Sequence, residues 1–120
     1  LVYADYIRGL ARRTTIQRAW QLFFEKYSVM VMPVCSQPPF PIDHDQQGDA
    51  AVAQMLDAHH PMLAVSILGF PGLSAPVSCE NRTPVGVQIV GPHLHDHTTL
   101  RLADAIAEIM GGCPRPDLAA

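Results

Sequence analysis

Proline placement constrains this chain more than any other feature. All eleven prolines among the 120 residues lie after Tyr27, so the stretch from Tyr3 to Tyr27 offers a helix no missing N–H donor. Beyond it, the prolines and seven of the eight glycines bunch around short apolar runs. Such punctuation limits those runs to strands and brief helices.

Within the proline-free stretch, Tyr3, Tyr6, Ile7 and Leu10 form one stripe at helical spacing, and Ile16, Ala19, Trp20, Phe23 and Tyr27 form a second. The register slips near Thr14 and Thr15, which predicts a bend or a break. Arg8, Arg12, Arg13 and Arg18 fall between the stripes and read as a solvated face. Ser28 to Val34 is short, apolar and without polar alternation, the pattern of a strand buried on both faces. Pro38, Pro39 and Pro41 make Ser36 to Asp49 a loop.

Asp49 is placed to cap a short helix over Ala50 to Ala58. Pro61 suits the first turn of another helix that reaches about Leu68 and closes at Gly69. Leu73 to Val77 and Val85 to Val90 read as strands joined by the turn Glu80 to Pro84. Asp96 is placed to cap a last helix, His97 to Met110, with Leu100, Ala103, Ala107 and Met110 on its apolar face, Ile106 beside them, and Gly111-Gly112 at its end. Helices alternating with apolar strands predict the α/β class.

Hydrophobic residues make up 48% of the chain, enough for one domain with a real core. Lys+Arg 8 against Asp+Glu 11 leaves no basic stripe for nucleic acid. No apolar run approaches the ~20 residues of a membrane span, and no charged-then-apolar leader opens the chain. Cys35, Cys79 and Cys113 are odd in number and far apart, which fits reduced thiols and a cytoplasmic location. The chain opens on Leu1, already in a helical pattern, and three strands would leave sheet edges unpaired. Both features lead to the expectation of one incomplete domain, part of a larger enzyme.

The densest cluster of chemistry-bearing residues is His93-Leu94-His95-Asp96-His97. In an extended segment, His93, His95 and His97 would point to one side, as zinc ligands do. The run falls one residue short of the His-x-His-x-Asp-His arrangement of metallo-β-lactamase-type hydrolases, and a solvated loop is the plainer reading. Gly72-Leu73-Ser74-Ala75-Pro76 has proline where a nucleophile elbow needs its second glycine, and Ser74 falls inside a strand. His59 and His60 have no serine or cysteine paired to them by pattern. Paired acids, a phosphate-binding glycine loop and a dinucleotide fingerprint are absent from the sequence.

Leu68-Gly69-Phe70-Pro71-Gly72-Leu73-Ser74-Ala75-Pro76, followed by Thr83-Pro84-Val85-Gly86-Val87-Gln88-Ile89-Val90-Gly91-Pro92 and a helix starting near Thr98, resembles the C-terminal region of the amidase signature family. Trp20, Phe23 to Tyr27, the strand ending in Met32-Pro33 and the Pro39 to Asp43 segment extend the likeness over nearly the whole chain. The resemblance implies an α/β/α fold with a mixed sheet covered by helices. It also implies hydrolysis of amide carbon–nitrogen bonds by a Ser-Ser-Lys set, with no metal or organic cofactor. The serine-glycine signature has no counterpart here, and the one lysine, Lys26, lies in a helical stretch outside the family's lysine context. No residue of this chain is therefore assigned a catalytic, cofactor-binding or metal-binding role.

These readings combine into one expectation for residues 1–120. They form the C-terminal part of an amidase domain, inactive alone, which needs the N-terminal part of the same fold as its partner and takes a small-molecule amide, with no nucleic acid or membrane. Two rivals stand beside it: a non-catalytic structural or binding remnant, and a metal-dependent hydrolase using His93, His95 and His97. The loop from Cys35 to Asp49, with Phe40, is expected to border the substrate entrance.

Overall fold

The computed structural model describes residues 2–80 and 83–111. Helix α1 spans Tyr3–Phe24, strand β1 Met30–Pro33, helix α2 Asp49–Ala58, helix α3 His60–Leu68, strand β2 Gly72–Glu80, strand β3 Thr83–Val90 and helix α4 Asp96–Met110. A single 3-10 turn at His44–Gln47 interrupts the segment expected to be loop throughout. The α/β layering agrees with the sequence pattern. Among the described residues the sheet is antiparallel, in the order β1-β3-β2, because β2 and β3 pair as a hairpin and β1 joins β3 from the other side.

Register sets which residues face each layer. Gly72 lies opposite Val90, Ser74 opposite Gln88 and Pro76 opposite Gly86, so these six share one face. On that face Val90 packs with Phe24, Val65, Leu68 and Phe70, which joins the sheet to α1 and α3. The opposite face carries Ala75 and Ile89, both buried, under α4. Strand β1 lies at an edge, and its burial alternates, with Val31 52% exposed. The expectation of burial on both faces fails there because α4 covers β2 rather than β1.

Helix α1 runs without a break and ends at Phe24 rather than Tyr27. The Thr14 and Thr15 hydroxyls donate to the carbonyls of Leu10 and Ala11, both at 3.1 Å, so the threonines bond along the helix instead of opening it. Its inward face is Arg13, Gln17, Trp20 and Phe24, whereas Ile16, Phe23 and Tyr27 from the expected stripe are exposed. Arg8 pairs with Asp5 in solvent, as expected of that face. Arg13 departs from it: its Nε donates to the Ile67 carbonyl, and Gln17 Nε2 donates to the Leu68 carbonyl. Those carbonyls belong to the last turn of α3, where a helix leaves acceptors without internal partners. The cation also suits the negative end of the helix dipole.

The helix caps differ in part from expectation. Gly69 closes α3 in the left-handed conformation, φ 72°, and Pro61 stands in the first turn, both as read from the sequence. Asp49 and Asp96 are instead first-turn residues, with Gly48 and His95 at the cap positions and no side-chain cap bond. Carboxylates there still favour the helix N-terminus through its dipole. The inward face of α4 is Thr99, Leu102, Ala103 and Ile106. Leu100, Ala107 and Met110 are exposed, because the buried Thr99 rotates the contact stripe. Gly111 closes α4 at φ 73°, while Gly112 lies outside the described residues.

The seam between β3 and α4 depends on a missing side chain. A Cβ on Gly91 would stand 2.8 Å from Thr99 Cγ2, too close for two carbons. Gly91→Ala is therefore expected to destabilise the fold by about 1–3 kcal/mol through overpacking. Adding Thr99→Ser deletes that methyl, keeps the hydroxyl bond to the Asp96 carbonyl (2.7 Å), and should recover most of the loss. Urea unfolding of the two single variants and the double variant checks this; strictly additive losses would place the clash elsewhere.

Candidate functional site

The α1 and α3 cover does not extend over the whole of the Gly72–Val90 face. Towards Pro76 and Gly86 the sheet opens into a cavity of about 1100 Å3, walled by the segment Val34 to Pro41, by Met55 and His59, and by Ser74, Pro76, Val85 and Gly86. A smaller hollow of about 300 Å3 shares Met55 and His59 with it and is otherwise lined by Asp45, Val52, Leu56, Met62 and Leu63. The proline-rich loop after β1 thus forms a wall of the main cavity. Mostly apolar walls with a few polar groups are the usual make-up of a small-molecule site.

Local contacts hold the loop in place. The Ser36 N–H donates to the Ala58 carbonyl at 2.9 Å, tying the start of the loop to the end of α2. His44 Nε2 donates to Gln54 Oε1 at 3.3 Å, and Gln54 Nε2 donates to Gln37 Oε1 at 3.2 Å, so one α2 side chain grips the loop at two points. The Phe40 ring stacks on His44 with centroids 5.0 Å apart and tilts towards His59 at 6.1 Å. Asp43 takes a left-handed backbone, φ 61°, which aspartate tolerates better than most residues, and accepts a bond from Gln46 at 2.8 Å.

Ring geometry distinguishes the histidines from one another. His59 is half-buried, and its Nδ1 donates to the Met55 carbonyl at 2.7 Å. His60, exposed on the next position, faces Asp57 at 3.1 Å. The His93 to His97 segment is not extended. His95 N–H donates to the Pro92 carbonyl at 3.0 Å, and Leu94 turns the chain at φ 63°. His93 consequently stands edge-on to Phe70 at 6.0 Å, while the His95 and His97 rings lie 5.5 Å from each other. Among the described residues no group of three His, Cys, Asp or Glu side chains is arranged to hold a metal ion.

Ser74 lies in β2 as read from the sequence, on the cavity face, and among the described residues no hydrogen bond pairs it with a base. Cys35 is a free thiol in the cavity wall. Cys79 falls in β2, and Cys113 lies outside the described residues. The sequence pattern pointed to the loop, weighed His59 only as a base without a paired nucleophile, and did not single out Met55. Their signal is weak, because a methionine and a histidine four apart on a short helix carry no motif of their own.

The Gln54 bridge makes a direct test of loop anchoring. Gln54→Ala removes both links, so cleavage within residues 36–48 should become faster under limited proteolysis. Global stability should fall by less than about 1 kcal/mol, the scale of exposed hydrogen bonds.

A family model described as Amidase matches residues 2–100. Over 107 residues the chain is 32% identical to the indoleacetamide hydrolase of Bradyrhizobium japonicum, covering 88% of this chain and 23% of that protein. Over 105 residues it is 32% identical to a glutamyl-tRNA(Gln) amidotransferase subunit of Bacillus pumilus, covering 88% of this chain and 21% of that one. In three dimensions it is similar to the crystal structure of a glutamyl-tRNA(Gln) amidotransferase subunit of Thermotoga maritima, with TM-score 0.81 at 23% identity, over 98% of this chain and 26% of the other. A crystal structure of an amidase matches 92% of the chain with TM-score 0.74. The chain spans about a fifth of the length of the curated relatives it matches.

Proposed function

The chain belongs to the amidase family, and we propose that it is the C-terminal part of an enzyme that hydrolyses carbon–nitrogen bonds of small-molecule amides. The observation that carries this reading is the family match over residues 2–100, coupled to a cavity that falls within the matched span. In this reading the chain forms a wall of the substrate entrance, and the serines and lysine that perform the chemistry come from the rest of the fold. No metal or organic cofactor takes part, and the enzyme works in the cytoplasm. No helix among the described residues is long and apolar enough to cross a membrane.

Exposed apolar surface supports a larger packed unit. Tyr3, Tyr6, Ile7 and Leu10 line an uncovered part of α1, and β1 and β2 each carry an unpaired edge among the described residues. Surfaces of this kind are normally covered or blunted. The rest of an amidase fold is the covering that the family match favours over a free-standing binding module.

Two measurements test the proposal. Ammonia release from a panel of aliphatic and aromatic amides should be absent for the 120-residue chain alone, with or without a chelator. Chelator-sensitive turnover would instead promote the histidine segment to a metal site. In the longer enzyme, Phe40→Ala should change the ranking of amides by kcat/KM, because it removes the ring that braces the loop. An unchanged ranking would take the loop away from the substrate path.

A further inference from the structure

His59 is the one half-buried histidine that lines both hollows, and its two ring nitrogens differ in what they face. Nδ1 donates to the Met55 carbonyl, which already accepts the His59 backbone N–H at 3.0 Å. In a neutral imidazole this bond settles the tautomer: the proton is on Nδ1, and Nε2 carries a lone pair. No group among the described residues hydrogen-bonds to Nε2. The cavity wall is mostly apolar, with Phe40, Pro39, Met55 and Val85 in it, and besides His59 its polar side chains are those of Ser36, Gln37 and Ser74. A preset acceptor in a mostly apolar wall is the kind of polar group that orients a ligand in its pocket.

We infer that His59 is a specificity-determining residue of this cavity, its Nε2 accepting a hydrogen bond from an N–H or O–H group on the non-reacting body of the amide. This rests on the reading above that amides enter here. The substrate class it names is an amide whose ring-sized apolar body carries a donor remote from the bond to be cut. The Phe40 ring at 6.1 Å and the Met55 side chain supply the apolar contact, and His59 supplies direction. Discrimination of this kind is strong, because a ligand lacking the donor leaves a desolvated acceptor unpaired.

The test uses the longer enzyme with 15N-labelled histidine, its nucleophilic serine replaced so that amides bind without being cut, titrated with 4-hydroxyphenylacetamide and with phenylacetamide. The phenol should move the His59 Nε2 resonance and bind about tenfold more tightly than its unhydroxylated analogue, the factor carried by one hydrogen bond in an apolar site. His59→Phe keeps a ring beside Phe40 and leaves the Met55 carbonyl its backbone partner, and it should abolish the preference while phenylacetamide still binds. His59→Gln restores a side-chain acceptor and should regain part of the preference. Equal affinities of the two amides for the enzyme that keeps His59 would overturn the role of His59 and leave amide binding intact. Loss of both amides' binding at this cavity would overturn the role and the proposed substrate path together.

Discussion

Strand β3 is the member on which the other layers depend. It is paired on both sides, and its last two residues, Ile89 and Val90, are both 0% exposed although successive side chains point to opposite faces. Both faces of the sheet must therefore be covered at that end. Helices α1 and α3 cover one, through Phe24, Val65 and Leu68, and α4 covers the other. Towards its other end β3 passes through Gly86 and Val85, where the helical cover stops and the cavity opens. One strand thus anchors the core and forms part of the floor of the candidate site.

The helix-to-sheet contacts rely on close approach as much as on apolar area. A Cβ on Gly72 would stand 2.9 Å from Val65 Cγ1, so the start of β2 and helix α3 meet where no side chain intervenes. The end of α3 is held from the other direction by Arg13 and Gln17 of α1, which satisfy carbonyls that the helix cannot satisfy itself. Trp20 and Phe24 then meet Phe70 at centroid distances of 5.4 Å and 5.6 Å. Polar capping and aromatic packing act on the same short turn, which places β2, and with it Ser74 and Pro76, at the cavity.

The same arrangement explains the character of the site. Proline-rich backbone on one side, the α2 to α3 corner on another and the hairpin on a third give a hollow with stiff walls and few polar groups. The chain belongs to the amidase family and spans about a fifth of its relatives' length, and the proposal that it helps to choose and orient an amide draws on this wall. On this reading, specificity is set by elements distant in sequence from those that cut the bond.

Much of the local structure was legible in the residues themselves. The proline-free first stretch determined a long helix, Pro61 and Gly69 bounded α3, and the apolar run ending at Val90 determined β3, because backbone donors and left-handed turns are local requirements. The motifs from Leu68 to Pro92 likewise carried the family. Only the tertiary structure decided which face of each helix is buried. Arg13 reads as solvated until α3 supplies its carbonyl, and α4 turns on Thr99 rather than Leu100 because Gly91 leaves room for a methyl there. The site followed the same division. The loop around Phe40 was visible as proline punctuation, whereas His59 joined it only through folding, since a histidine's role depends on what each ring nitrogen meets in space.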